Sequence, residues 1–309
     1  MKIVMYHYVR DFSKSDYPKI KGLDIDGFKF QINHLASKFD VLTPTDVHNI
    51  IRKKQKFSKN HCWLNFDDGF IDHYKYVLPV LEKHKIKASF FPPVKTTLNK
   101  ATLDVHKIHH ILASCNNEDL LLNEIRDLYF KFTKKNLNTF NKILATIDTT
   151  SRLDNKNVLL IKRLLQHALP EKIREKICKV IFKKYVGEDE KSFSKKLYMG
   201  IKHLKELKNL SHEIGVHGYN HSWMNKLVVK KQEKEINSSV SFWKDNQILK
   251  NSQFTMCYPY GAFNSDTLKI LKTKTKCIAG LTTVPKTVPL KNYKIFELPR
   301  LDTIDFPSK

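Results

Sequence analysis

Three short apolar runs constrain this chain most, because each is closed at its carboxyl end by acids, imidazoles or a rigid turn. Trp63-Leu64-Asn65-Phe66 runs into Asp67-Asp68-Gly69, and Glu213-Ile214-Gly215-Val216 into His217-Gly218-Tyr219-Asn220-His221. The third, Phe254-Thr255-Met256, runs into Cys257-Tyr258-Pro259-Tyr260-Gly261. Apolar runs bounded by turn signals read as buried strands, and α/β proteins collect their chemistry at the carboxyl edge of the sheet. The three clusters are therefore expected to meet. Neighbouring residues of an extended chain point to opposite faces, so Asp67 and Asp68 should do different work, one facing a metal and the other a water or substrate. His217 and His221 share one face if the chain turns helical there, a spacing at which imidazoles hold one divalent ion. Alone, Asp-Asp-Gly is more often a polar turn, and a lone HxxxH is weak. Their joint occurrence carries the argument.

In the same order, NFDDG, HGYNH and CYPYG resemble the T/S-F-D-D-G, H-S/T-x-x-H and R-x-P-Y-G motifs of the NodB-homology polysaccharide deacetylases, carbohydrate esterase family 4. The resemblance covers residues 1 to about 95 and about 205 to the end. It departs at Cys257, where the family has arginine, and after Gly261, where the family's late Leu-x-x-His motif is absent. What it implies is an α/β fold, a distorted (β/α)7 TIM-like barrel whose catalytic face gathers His7, Asp67, His217 and Tyr260. It also implies that Asp68, His217 and His221 hold one divalent ion, Zn2+ first, and that Asp67 is the catalytic base. The backbone N–H of Tyr260, beside Gly261, matches the oxyanion donor. Met5-Tyr6-His7-Tyr8-Val9 is similar to the Tyr-His motif near the start of the poly-N-acetylglucosamine deacetylases of this family, which implies that His7 is the general acid.

The chemistry agrees with those residue types. Hydrolysing an N-acetyl group needs a nucleophilic water, a Lewis acid at the carbonyl oxygen, a base, and an acid for the departing amine. Arg300, in Leu298-Pro299-Arg300-Leu301-Asp302, is the only arginine after Arg174. It is expected to supply the charge missing at Cys257, orienting Asp67 or binding substrate; the alternative is a surface arginine.

Seven strand candidates lie near residues 2–6, 62–66, 86–91, 213–217, 254–258, 277–281 and 295–298, and most are separated by amphipathic helical patterns. That alternation predicts a parallel sheet. Residues 1–97 and 207–309 form the expected barrel. The interval 98–206 is far too long for a βα loop and is rich in helical patterns, so it reads as a helical insertion. It leaves a strand end at Phe90-Phe91-Pro92-Pro93, which predicts a place beside the active-site mouth; an oligomerisation or stabilising element is the alternative. His106, His109 and His110 inside it read as solvated helix-surface residues.

A net charge of +24 raises the question of nucleic acid, yet the excess is spread evenly, and only 7 of the 55 basic residues are arginine. Solvated lysine faces are expected instead of a nucleic-acid groove, with some attraction for an anionic partner or peripheral contact with a lipid surface. Five widely spaced cysteines with no CxxC pair predict reduced core thiols. Residues 1–9 are too short and aromatic for a signal peptide, and no long apolar run occurs, which predicts a cytoplasmic protein. The expected function is metal-dependent removal of an N-acetyl group from a sugar or from a nucleotide- or lipid-linked glycan during surface polysaccharide or lipopolysaccharide biosynthesis. Alternatives are hydrolysis of another C–N bond, such as a formamide or linear amide, and O-deacetylation. A noncatalytic glycan-binding module would have no need of both acids and both histidines.

Overall fold

The computed structural model describes residues 1–98, 101–151 and 154–309. Its strands are Lys2–Tyr6 (β1), Val9–Arg10 (β2), Leu23–Asp24 (β3), Asp40–Val41 (β4), His61–Asp67 (β5), Ser89–Phe91 (β6), Glu213–Ile214 (β7), Gln253–Cys257 (β8), Lys276–Leu281 (β9) and Leu301–Asp302 (β10). Every pairing between them is parallel. The largest sheet runs β10-β1-β5-β6-β7 with β4 on the start of β5; β2-β3 and β8-β9 pair separately. Isolated parallel bridges join Val216 to Met256 and Leu281 to Leu298.

Strand periodicity sorts the buried residues into two cores. Val4, Tyr6, Leu64, Phe66 and Phe90 pack with helix residues such as Phe28, Ile32, Leu35, Leu78 and Leu81. Ile3, Trp63 and Phe91 face the other way, with Cys257, Ala279, Leu281 and Leu298. Asp67, four residues beyond Trp63, lies on this second face. Parallel strands buried on both sides read as continuous apolar runs, as β1 and β5 do. Helix starts follow side-chain caps: Asp24 accepts from Asp26 N–H, and Thr43 forms a capping box with Asp46.

Two strand expectations are corrected. The last strand is displaced from 295–298: Leu298 makes one bridge, Pro299 has no N–H to donate, and the ladder resumes at β10 against β1. The run 213–217 shortens to two residues of strand, followed by Gly215, where a Cβ would meet the Phe91 ring at 2.3 Å. The two-residue strands β2, β3 and β4 are too short to leave a periodic signal.

The chain divides into two units: Met1–Asp11, Gly22–Ala101 and Ser194–Lys309 form the first, Phe12–Lys21 and Thr102–Phe193 the second. All the strands belong to the first. The second is built on helices Asp104–Ser114, Glu118–Thr133, Leu137–Ala145, Lys156–Arg163 and Glu171–Tyr185, which bury Ile108, Ile111, Leu121, Ile125, Ile161 and Ile177. Within it, His106 and His110 are buried, not solvated. His110 Nδ1–H donates to the His106 carbonyl at 2.7 Å, and its ring meets Tyr17 and Phe193 edge-on. Among the described residues all five cysteines are free, and no helix is long and apolar enough to cross a membrane.

Candidate active site

The Asp-Asp-Gly turn separates its two acids by a change of backbone hand. Strand β5 ends at Asp67; Asp68 (φ 70°) and Gly69 (φ 69°) are both left-handed, so Asp68 leaves the ladder while its N–H still donates to the Phe91 carbonyl at 3.1 Å. A Cβ at Gly69 would stand 2.6 Å from that of Pro92, so only glycine fits the turn. The two carboxylates diverge as the sequence predicts, though through this turn and not through alternation along a strand.

His217 and His221 come together without a helix, contrary to expectation. Gly218 (φ 72°) and His221 (φ 60°) fold the loop back, and the rings end with centroids 4.7 Å apart. Glu235, buried on the helix Val229–Asp245, holds the loop: its carboxylate accepts the N–H groups of Tyr219 and Asn220, each at 2.9 Å, and the Asn220 amide at 2.6 Å. His217 Nδ1–H donates to the Cys257 carbonyl at 2.7 Å, which turns Nε2 toward Asp68. Asp68 Oδ1 lies 3.4 Å from His217 Nε2 and 3.3 Å from His221 Nε2. Donors about 2.0–2.1 Å from a tetrahedral ion stand roughly 3.3–3.4 Å from one another. Asp68, His217 and His221 therefore fit a zinc-like ion. Asp67, His217 and Cys257 also converge, but Asp67 is engaged elsewhere and burial pushes the Cys257 thiol up, away from the thiolate that metals need.

Asp67 is gripped by Arg300. Nη1 and Nη2 donate to Oδ1 and Oδ2 at 2.9 and 2.7 Å, while Nε donates to the Thr282 carbonyl at 2.8 Å. Arg300 is 1% exposed, so it is no surface residue. Its Nη2 also lies 3.2 Å from Cys257 Sγ, which is 3.4 Å from Asp67 Oδ2. The guanidinium thus stands beside the position where the third motif lacks it. Burial alone would raise the Asp67 carboxyl, but Arg300, helped by His7 and His217, outweighs it and brings the group down to about 2. His7, whose side chain is 40% exposed, places Nε2 at 3.8 Å from Asp67 Oδ2. Tyr260 (φ 59°) sits in the Pro259–Gly261 turn; its ring stacks on Trp223 at 4.4 Å and lies 4.6 Å from His221. Gly261 N–H donates to the Tyr258 carbonyl at 2.8 Å, and a Cβ there would meet Thr283 Oγ1 at 2.2 Å.

A family profile described as polysaccharide deacetylase matches residues 54–110 and 184–275, the spans that contain Asp67, Asp68, His217, His221 and Tyr260. Over those spans the chain is similar to the polysaccharide deacetylases. A relative from Bacillus subtilis (strain 168), YxkH, named as a polysaccharide deacetylase, is 28% identical over 92 residues. That match takes in 29% of this chain and 31% of YxkH, so it spans under a third of the relative. Among solved structures, the chain is similar to the Streptococcus pyogenes deacetylase PplD in complex with acetate (TM-score 0.59, 17% identity, covering 98% of this chain and 91% of that one). It is also similar to IcaB from Ammonifex degensii (0.54, 15%, 97% and 91%) and to a de-N-acetylase from Aggregatibacter actinomycetemcomitans (0.55, 12%, 98% and 95%). At these identities the likeness shows the α/β fold.

His7 and Arg300 fall outside the spans that the profile matches. Three residues at or near the site carry no motif of their own: Glu235 beneath the histidine loop, Trp223 against Tyr260, and His73, which donates from Nε2 to the His7 carbonyl at 2.6 Å. Glu235 sits on the buried face of an ordinary amphipathic helix, so spacing alone could not single it out.

Proposed function

We propose that the chain is a metal-dependent hydrolase that removes an N-acetyl group from a carbohydrate. The observation that carries this reading is the pair of carboxylates held in opposite roles: Asp68 with two imidazoles, Asp67 with Arg300 and His7. A divalent ion held by Asp68, His217 and His221 would supply Lewis acidity toward the acetyl oxygen and a more acidic water. Asp67, kept ionised by Arg300, accepts a proton from the attacking water as the new C–O bond forms. The Tyr260 backbone N–H would donate to the oxygen that gains negative charge. His7, exposed enough to meet a substrate and 3.8 Å from Asp67, donates to the nitrogen as the C–N bond breaks. The products are acetate and a free amine on the sugar.

The parallel pairings support a distorted seven-stranded barrel of β1, β5, β6, β7, β8, β9 and β10, with the two isolated bridges as its seams. The helical unit is read as an insertion into it. The lysine excess favours an anionic carrier, nucleotide- or lipid-linked, such as surface-glycan synthesis employs.

The test is acetate release from N-acetylglucosamine oligosaccharides and acetylated sugar nucleotides by the zinc-loaded chain. Activity should vanish on chelation, return with zinc, and be absent in Asp67→Asn. Release of formate or ammonia from other amides with no acetate from any sugar would overturn the reading in favour of another C–N hydrolase. Full activity in the chelated protein would overturn the metal.

A further inference from the structure

His73 is a buried imidazole to which the proposed reaction gives no role, and its surroundings make it an odd choice for packing alone. It is 0% exposed and boxed by the rings of Phe66, Phe70 and Phe90, with centroids 5.4, 5.7 and 6.1 Å away. A phenylalanine would fill such a box without the cost of burying a polar ring. What the imidazole adds is one hydrogen bond, Nε2–H to the His7 carbonyl at 2.6 Å; among the described residues its Nδ1 has no hydrogen-bond partner. Burial holds the group down at about 4, so near neutral pH it carries one ring proton, and the carbonyl fixes that proton on Nε2.

The carbonyl it holds belongs to a residue that the sheet does not hold. Pairing of β1 with β5 stops at Tyr6 and Phe66, and β2 begins only at Val9. Two further contacts tie the same stretch to the same turn. The Tyr8 ring stacks on Phe70 at 4.2 Å, and Arg10 Nη2 meets Asp72 Oδ2 at 2.6 Å with both side chains largely buried. His73 also opens the π-helical turn His73–Val77, a wide turn of the kind that recurs at functional sites.

We propose that His73 is a positioning residue for the proton donor: the clasp Phe70–His73, continuous with the Asp67-Asp68 turn, sets the backbone of His7 so that its imidazole stands over Asp67. This rests on the reading of His7 as general acid. In the step concerned, the C–N bond breaks, its electron pair stays on nitrogen, and the His7 proton moves to that nitrogen. Displacing the donor slows this step and leaves untouched any substrate whose leaving group departs without a proton.

The experiment compares His73→Phe, His73→Gln, His7→Ala and the double variant His7→Ala/His73→Phe, all as zinc-loaded full chains. The amide probe is an N-acetylglucosamine tetramer and the ester probe is p-nitrophenyl acetate. His73→Phe should lower kcat on the amide by about 10- to 100-fold, with KM, zinc content and the ester rate nearly unchanged. It should add nothing once His7 is alanine, and His73→Gln, which keeps a donor in place of Nε2, should recover much of the loss. Equal losses on amide and ester, additivity with His7→Ala, or normal amide turnover in a folded His73→Phe would each overturn the proposal. Normal amide turnover in His7→Ala, or no acetate from the wild type, overturns the underlying reading and the proposal together. If His73→Phe does not fold, His73→Gln decides: a loss that it shares on both probes makes the role structural.

Discussion

At the scale of single residues, the exchange of partners around Asp67 is the feature with the sharpest consequences. A buried carboxylate without its cation is costly, and breaking such a pair by removing one member typically destabilises by about 3–5 kcal/mol. Arg300→Met is expected to lose stability of that order and to depress turnover by at least about 10², since the unopposed effect of burial raises Asp67 and removes the proposed base. A denaturant melt together with kcat checks this; wild-type values in both would show that the pair is idle. Cys257→Ala is expected to keep turnover within about threefold, because a thiol 3.4 Å from the carboxylate is a weak donor. The residues that bear charge were legible in the sequence because their types are costly to bury without a purpose. What could not be read was which charge met which: Arg300 and Asp67 lie 233 positions apart. Only the absence of arginine at 257 hinted at the pairing.

At the scale of elements, the loop 217–221 depends on Glu235 more than on its own residues. Its N–H groups at 219 and 220 are satisfied by one carboxylate, so Glu235→Ala leaves them without that acceptor and loosens His221 relative to His217. Zinc affinity is expected to fall by about 10- to 100-fold in a calorimetric titration, the usual effect of losing a group that orients metal ligands. An unchanged affinity would mean that the loop holds itself. The runs behind β1, β5, β8 and β9 were legible because strands buried on both faces leave continuous apolar sequence. The histidine loop was misread as helical because HxxxH spacing is blind to a left-handed glycine and to a carboxylate that arrives from 14 residues past His221.

For the whole molecule, buried neutral histidines set how acid is tolerated. Burial lowers His73 to about 4, and burial with Lys87 nearby lowers His212 to about 4 against the opposing pull of Glu82. Because the folded state binds these protons later than the unfolded chain, stability is full above the ordinary histidine value and drains away as pH falls from about 6.5 toward 4. Each group contributes roughly 3 kcal/mol at the lower end as an upper estimate. The melting temperature should therefore decline across that window, and His73→Phe should flatten the decline; a slope equal to that of the wild type would refute the assignment. Composition and alternation made the α/β class legible, because helices that alternate with apolar strands have few other ways to bury both. The displaced last strand was not legible, since it has two residues and follows a proline.

The parallel pairing of β1 with β10 and the reach of Arg300 to Asp67 also bear on how the molecule is born. A ribosome moves from amino to carboxyl end, and the acid at 67 emerges long before its cation at 300. Until then the nascent chain carries a carboxylate without its cation and a first strand with one edge open. A message truncated just before Arg300 would yield protein that holds both histidines and lacks the cation paired with Asp67.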